Sequence, residues 1–149
     1  GCELTLCCDI RLAGAGDYTI GQMEIQVGLL PGAGGTTRLA RAVGTGKALE
    51  WALRGRVFSP EEAAAEGLVH HYVAGDVVQA AKEMAEEFLD KPPAALAAIK
   101  QVMRSSYGKS VAEGVDEEGD LFANLIATDA RTLEMMEEYV ANGHPLKKI

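Results

Sequence analysis

The sequence has 149 residues, 48% of them apolar, enough to bury one sizeable core or a compact domain with a helical appendage. A net charge of −8 without a Lys/Arg-rich run excludes a nucleic-acid or anionic-membrane surface, because phosphate binding depends on clustered cations. No apolar run approaches the roughly 20 residues of a membrane-spanning helix, so the chain reads as soluble, with no membrane partner.

In chain order, residues 2–8 read as a short buried helix. Residues 9–13 and 17–21 read as brief strands around the turn Gly14-Ala15-Gly16. The glycine-rich turn Leu30-Pro31-Gly32-Ala33-Gly34-Gly35-Thr36 opens a helix over 36–43, and Thr45 caps a further one that Gly55 closes. Ser59-Pro60-Glu61-Glu62 is an N-cap, a proline at the first helical position and a glutamate placed for a capping box. That helix stops at Gly67, and a strand runs on to Val73.

The pattern changes near residue 75, which divides the chain into 1–75, short segments with glycine turns, and 76–149, a helical region with charged faces. Asp76 and Gln79 open a helix that Lys91-Pro92-Pro93 ends. Leu96, Ile99, Val102 and Met103 mark a second apolar stripe, ended by Gly108. Ser110 and Glu113 form another capping box, and the helical pattern continues through Gly114 and Gly119 to Ile126. Leu133, Met136 and Val140 line a last helix, closed by Gly143 and followed by Pro145. Met135-Met136 reads as core packing; Glu117-Glu118 and Glu137-Glu138 read as solvated faces. Helices with one apolar stripe each must pack on the first region, on one another, or on another copy of the chain.

Cys2, Cys7 and Cys8 are odd in number and crowded into one stretch, which argues against a disulfide framework and for reduced, buried thiols in an intracellular protein. Neither they nor His70-His71 have partners at zinc-site spacing, so no metal is expected. Strand alternation sends the two histidine rings to opposite faces, one packed and one solvated.

Glu3 and Glu24 differ from the other glutamates in their surroundings. Glu3 precedes Leu4-Thr5-Leu6-Cys7-Cys8, too apolar for a water-facing helix, and Glu24 lies between a glycine turn and the apolar run ending at Leu30. A carboxylate that loses solvation there moves toward the range useful for proton transfer.

Gly1-Cys2-Glu3-Leu4, Cys8-Asp9-Ile10-Arg11, Gly21-Gln22-Met23-Glu24, Gly28-Leu29-Leu30-Pro31-Gly32-Ala33-Gly34-Gly35-Thr36 and Gly67-Leu68-Val69, in this order, resemble the crotonase superfamily, most closely its enoyl-CoA hydratases. The resemblance implies an α/β fold: the later turns of a strand-strand-helix spiral, followed by a C-terminal helical oligomerisation region that builds a homotrimer or a dimer of trimers. It implies that Glu3 and Glu24 are the catalytic pair, Glu3 as base on a water and Glu24 as proton donor to the α-carbon. Gly32 would position that water through its N–H. The implied reaction hydrates a trans-2-enoyl thioester of coenzyme A to the 3-hydroxyacyl thioester, as in fatty-acid β-oxidation. Coenzyme A is then part of the substrate, and no separate cofactor is required. The alternatives are an enoyl-CoA isomerase with Glu24 as sole proton shuttle, and a non-catalytic assembly module built on the helices.

The start at Gly1, inside a motif, indicates a piece of a longer protein, inactive alone because both oxyanion donors fall outside it; any targeting peptide lies upstream. The expected compartment is the cytoplasm, or the mitochondrial matrix in a eukaryote. Three departures stand out. Met23 replaces the usual proline, the stretch between the glutamates is one residue longer around Gly14–Asp17, and the tail from Asn142 lacks the usual aromatic and Lys-Arg pattern, leaving Lys147 and Lys148 as solvated lysines, with pairing to a phosphate as the alternative.

Overall fold

The computed structural model describes residues 1–142 and divides the chain into two compact units, Gly1–Met84 and a second that begins at Ala85. In the first, α1 (Cys2–Thr5) leads to β1 (Leu12–Gly14), β2 (Ile20–Gly21), a 3₁₀ turn at Glu24–Val27, α2 (Gly35–Val43) and α3 (Thr45–Arg54). Then follow β3 (Val57–Phe58), α4 (Pro60–Ala65), β4 (His71–Val73) and α5 (Val77–Glu86), which crosses into the second unit.

The two early strands do not pair across the Gly14–Gly16 turn. β1 runs parallel to β4, with Leu12 opposite His71, and β2 runs antiparallel to β3, with Ile20 opposite Phe58. The reason is burial. Pairing with these later strands places Ala13 and Phe58 in one core with Leu39, Trp51, Ala63, Leu68 and Val69. A local hairpin would leave that core without its floor. Trp51 meets Phe58 edge to face at 4.6 Å, and the Arg56 guanidinium lies 4.5 Å from the Phe58 ring centroid. Arg11 ties β1 to the end of α4: its Nε donates to the Leu68 carbonyl at 2.9 Å.

Local signals in the first unit are realised with corrections. The Ser59–Glu62 capping box is complete, and Gly55 closes α3 at φ +60°. Thr45 is a helical residue rather than a cap; Gly44 takes the cap position at φ +85° and offers no side-chain bond. The Cys2–Cys8 segment is helical only to Thr5, and α1 has no buried residue. Cys2 is half-buried while Cys7 and Cys8 are exposed, because only Leu6 of this short segment turns into the core. All three thiols are free. Both histidines are exposed, correcting the packed-and-solvated expectation. His70 lies just before β4, where its Nδ1 accepts the Arg11 N–H at 2.9 Å.

The second unit holds α6 (Pro93–Ser105), a 3₁₀ turn at Ser106–Gly108, α7 (Val111–Thr128) and α8 (Ala130–Ala141). The Ser110–Glu113 box starts α7, which runs unbroken through Gly114 and Gly119. Asp129 caps α8 by accepting from the Thr132 N–H at 2.9 Å. None of these helices has a fully buried residue, so Met135 and Met136 are not core residues here. Glu117 is not a solvated face: it pairs with Lys109 at 2.8 Å and accepts the Ser105 hydroxyl. Gly143, Pro145, Lys147 and Lys148 lie outside the described residues. No described helix is long and apolar enough to cross a membrane.

Candidate active site

The glycine-rich turn is built around one carboxylate. Glu3, delivered from α1, places its Oε1 where the backbone N–H groups of Ala33 (2.8 Å) and Gly35 (3.0 Å) both donate to it. Gly35 is the first residue of α2, where N–H groups have no helical partner of their own, and Ala33 lies in the turn just before its N-cap Gly34. Arg38, one turn into α2, closes the outside of the turn by donating from Nη1 to the Ala33 carbonyl at 2.7 Å. Gly35 is required by close approach. A Cβ there would collide with the Gln22 amide, lie 2.6 Å from Pro31 Cβ and 2.8 Å from Glu3 Oε1.

Glu24 begins the 3₁₀ turn and is half-buried. Gln22, two residues before it, is the buried polar side chain of the core region, 3% exposed. With its nitrogen toward the acceptor, as the partners require, its amide donates to Glu24 Oε1 at 3.1 Å and Oε2 at 3.3 Å. Glu3 and Glu24 therefore converge through Gly35 and Gln22, from elements far apart in the chain. The Cys2 thiol senses both: burial pushes its pKa up, the charges of Glu24 and Glu3 push the same way, and Arg11 opposes them. Met23, between Gln22 and Glu24, has φ −111°, outside the range a proline ring allows.

Gly32 lies in the same turn, exposed, and a Cβ on it would meet nothing within 4 Å. Its side of the turn is open where Gly35's is closed. A cleft of about 410 Å³ lies against these elements, lined by Gly1, Cys2, Thr5, Ile20, Gly21 and Met23 among others. A separate apolar groove of about 270 Å³ between α6 and α7 carries one acid, Glu118, and no partner for proton chemistry. Among the described residues, no group of three or more His, Cys, Asp or Glu is gathered as a metal would need.

Of the residues singled out by sequence, Glu3 and Glu24 are thus linked through Gln22 and the turn, and Gly32 lies in that turn beside Ala33, which donates to Glu3. Gln22 was missed as a separate member, because a glutamine in a Gly-Gln-Met-Glu run gives no local sign of burial. Short strands paired over long distances and interleaved with helices, with a helix-borne carboxylate clamped by a glycine turn, define an α/β chain of crotonase type.

Comparison with known proteins agrees. The family model described as enoyl-CoA hydratase/isomerase matches residues 1–146. A probable enoyl-CoA hydratase of Mycobacterium leprae is 36% identical over 146 residues, covering 97% of this chain and 56% of that protein. A short-chain-enoyl-CoA hydratase of Clostridioides difficile is 35% identical, covering 86% of this chain and 83% of that one. The crystal structure of an enoyl-CoA hydratase from Bacillus anthracis superposes with a TM-score of 0.86 at 32% identity, covering 99% of this chain and 57% of the other. The chain belongs to the enoyl-CoA hydratase/isomerase family. It spans about half the length of most of the relatives it matches, 56% of the Mycobacterium protein and 51% of a 2,3-dehydroadipyl-CoA hydratase of Escherichia coli.

Proposed function

We propose that this chain supplies the acid–base half of an enoyl-CoA hydratase, which adds water across the double bond of a trans-2-enoyl-CoA. The observation that carries the reading is the convergence of two half-buried glutamates, one with an oxygen held by two backbone N–H groups and the other by a buried amide. In the proposed reaction Glu3, through the oxygen left by the turn, takes a proton from water as the water oxygen bonds to the β-carbon. The π electrons move toward the thioester oxygen, and Glu24 returns a proton to the α-carbon. The Gly32 N–H, on the open side of the turn, holds the water. Two carboxyls sharing one water titrate as a pair, so the resting proton belongs to the pair and not to either residue.

Charge developing on the thioester oxygen needs N–H donors, each worth about 3 kcal/mol of barrier. By the family resemblance, those donors are assigned to polypeptide outside this stretch. The exposed apolar side chains of the second unit, among them Ile99, Met103 and Phe122, support assembly as a homotrimer or a dimer of trimers. Three free thiols support a reducing compartment, the cytoplasm or the mitochondrial matrix.

The test is loss of the conjugated thioester absorbance of crotonyl-CoA with the full-length protein and with its Glu3→Gln variant. Hydration should fall by about 10²- to 10⁴-fold in the variant. An isomerase that uses Glu24 alone would keep most of its activity after this substitution. No hydration by the full-length protein, with the oxyanion donors present, would sink the hydratase reading even at high enzyme concentration.

A further inference from the structure

We propose that Gln22 is a positioning residue that holds the Glu24 carboxylate against the turn carrying Glu3, an inference that rests on the two-glutamate reading above. Taking an amide out of water costs free energy unless its donors and acceptor are satisfied, yet Gln22 is almost completely buried beside the strand β2. Its partners account for the burial. The nitrogen lies 3.1 and 3.3 Å from the two Glu24 carboxylate oxygens, so one group engages the whole carboxylate. The other end of the amide faces donors on the side of the glycine turn, where any Cβ on Gly35 would strike it.

Gly35 in turn donates to Glu3 Oε1 at 3.0 Å. A single neutral side chain therefore spans from the holder of one glutamate to the other. Met23, the residue between Gln22 and Glu24, is about half exposed and cannot anchor this junction, which leaves the Gln22 amide to fix the direction of Glu24. An amide suits the task. It orients a carboxylate by hydrogen bonding but neither gives up nor takes a proton at working pH, so it does not compete for the one being transferred.

Two measurements on the native protein test this. In the first, the side-chain amide protons of Gln22 are followed by ¹H–¹⁵N NMR. Their exchange with solvent should quicken by about 10- to 100-fold in Glu24→Ala, the loss expected for a hydrogen bond to a charged group, and stay unchanged in the exposed control Glu61→Ala. In the second, Gln22→Ala should lower kcat for hydration by about 10- to 100-fold with KM unchanged, the effect of a misdirected catalytic group. In a Glu24→Gln background the same change should cost less than about 3-fold, because its effect acts through Glu24.

Unchanged amide exchange in Glu24→Ala, a loss confined to KM, or full additivity of the two substitutions would overturn the proposal. The NMR arm leaves Gln22 intact and needs no turnover, so it decides the role of Gln22 even if the native protein does not hydrate enoyl-CoA, a result that would count against the function alone.

Discussion

Gly35→Ala is the sharpest test of the turn. The added methyl would lie 2.6 Å from Pro31 Cβ and 2.8 Å from Glu3 Oε1, and would strike the Gln22 amide. Pro31 is a buried ring and cannot rotate away, so the turn or Glu3 must move. Overpacking of this kind costs about 1–3 kcal/mol. Breaking the bond from the Gly35 N–H to a charged carboxylate costs about 1.5–3 kcal/mol. The two share atoms and do not add in full, so a loss of about 3 kcal/mol is expected. In urea, with a slope of about 1–3 kcal/mol per molar, the midpoint should fall by at least about 1 M. Trp51, the single tryptophan, is buried against Phe58 in the same unit and reports the transition by fluorescence. Gly32→Ala is the matched control, since its methyl meets open space; its unfolding free energy should stay within about 0.5 kcal/mol of the native value, as for surface substitutions. Equal midpoints for the native protein and Gly35→Ala would refute the close-approach argument.

Ser59→Ala removes the hydroxyl that accepts from the Glu62 N–H at 3.2 Å and should cost about 1 kcal/mol, read by the same urea titration. Phe58→Ala empties the centre of the core and should cost about 3–5 kcal/mol, enough to broaden or abolish a cooperative thermal transition. The pKa of His70 lies below its ordinary value through partial burial, then the charge of Arg11, then His71. Its Nδ1 must stay unprotonated to accept the Arg11 N–H. The unfolded imidazole thus takes a proton first, and stability is full above the ordinary histidine pKa of about 6.5 and declines as pH falls from there toward the lower folded value. Stability curves at stepped pH should show this decline in the native protein and a shallower one in His70→Gln.

Much of the candidate site was legible because its signals are local and chemical. A glycine-rich turn that opens a helix, and glutamates set among apolar residues, can be recognised without knowing what they touch. The capping boxes at Ser59 and Ser110 were equally plain, since every group involved lies within one helical turn. What escaped depends on the tertiary arrangement. Residues 9–13 and 17–21 looked like neighbours around a turn, yet each strand found its partner far along the chain because the core needed Phe58 and Ala13 together. Gln22 looks like any surface glutamine until the turn folds over it. Glu117 sat in an acidic run that reads as solvated, and only the approach of Lys109 and Ser105 makes it a bonded group. Asp129 left a local sign that was overlooked: an aspartate just before a helical apolar pattern, a residue type favoured at a helix N-cap.

The pairing of β1 with β4 and of β2 with β3 has a consequence for how the polypeptide is made. During synthesis Ile20 emerges well before Phe58, and Leu12 waits longer still, until His71 has left the ribosome. Neither ladder can form while the nascent chain is shorter than that, and contacts between residues so distant form slowly. Until then the segment that carries Glu3 and Glu24 lacks both of these ladders, a window in which chaperones and proteases would meet its strands unpaired.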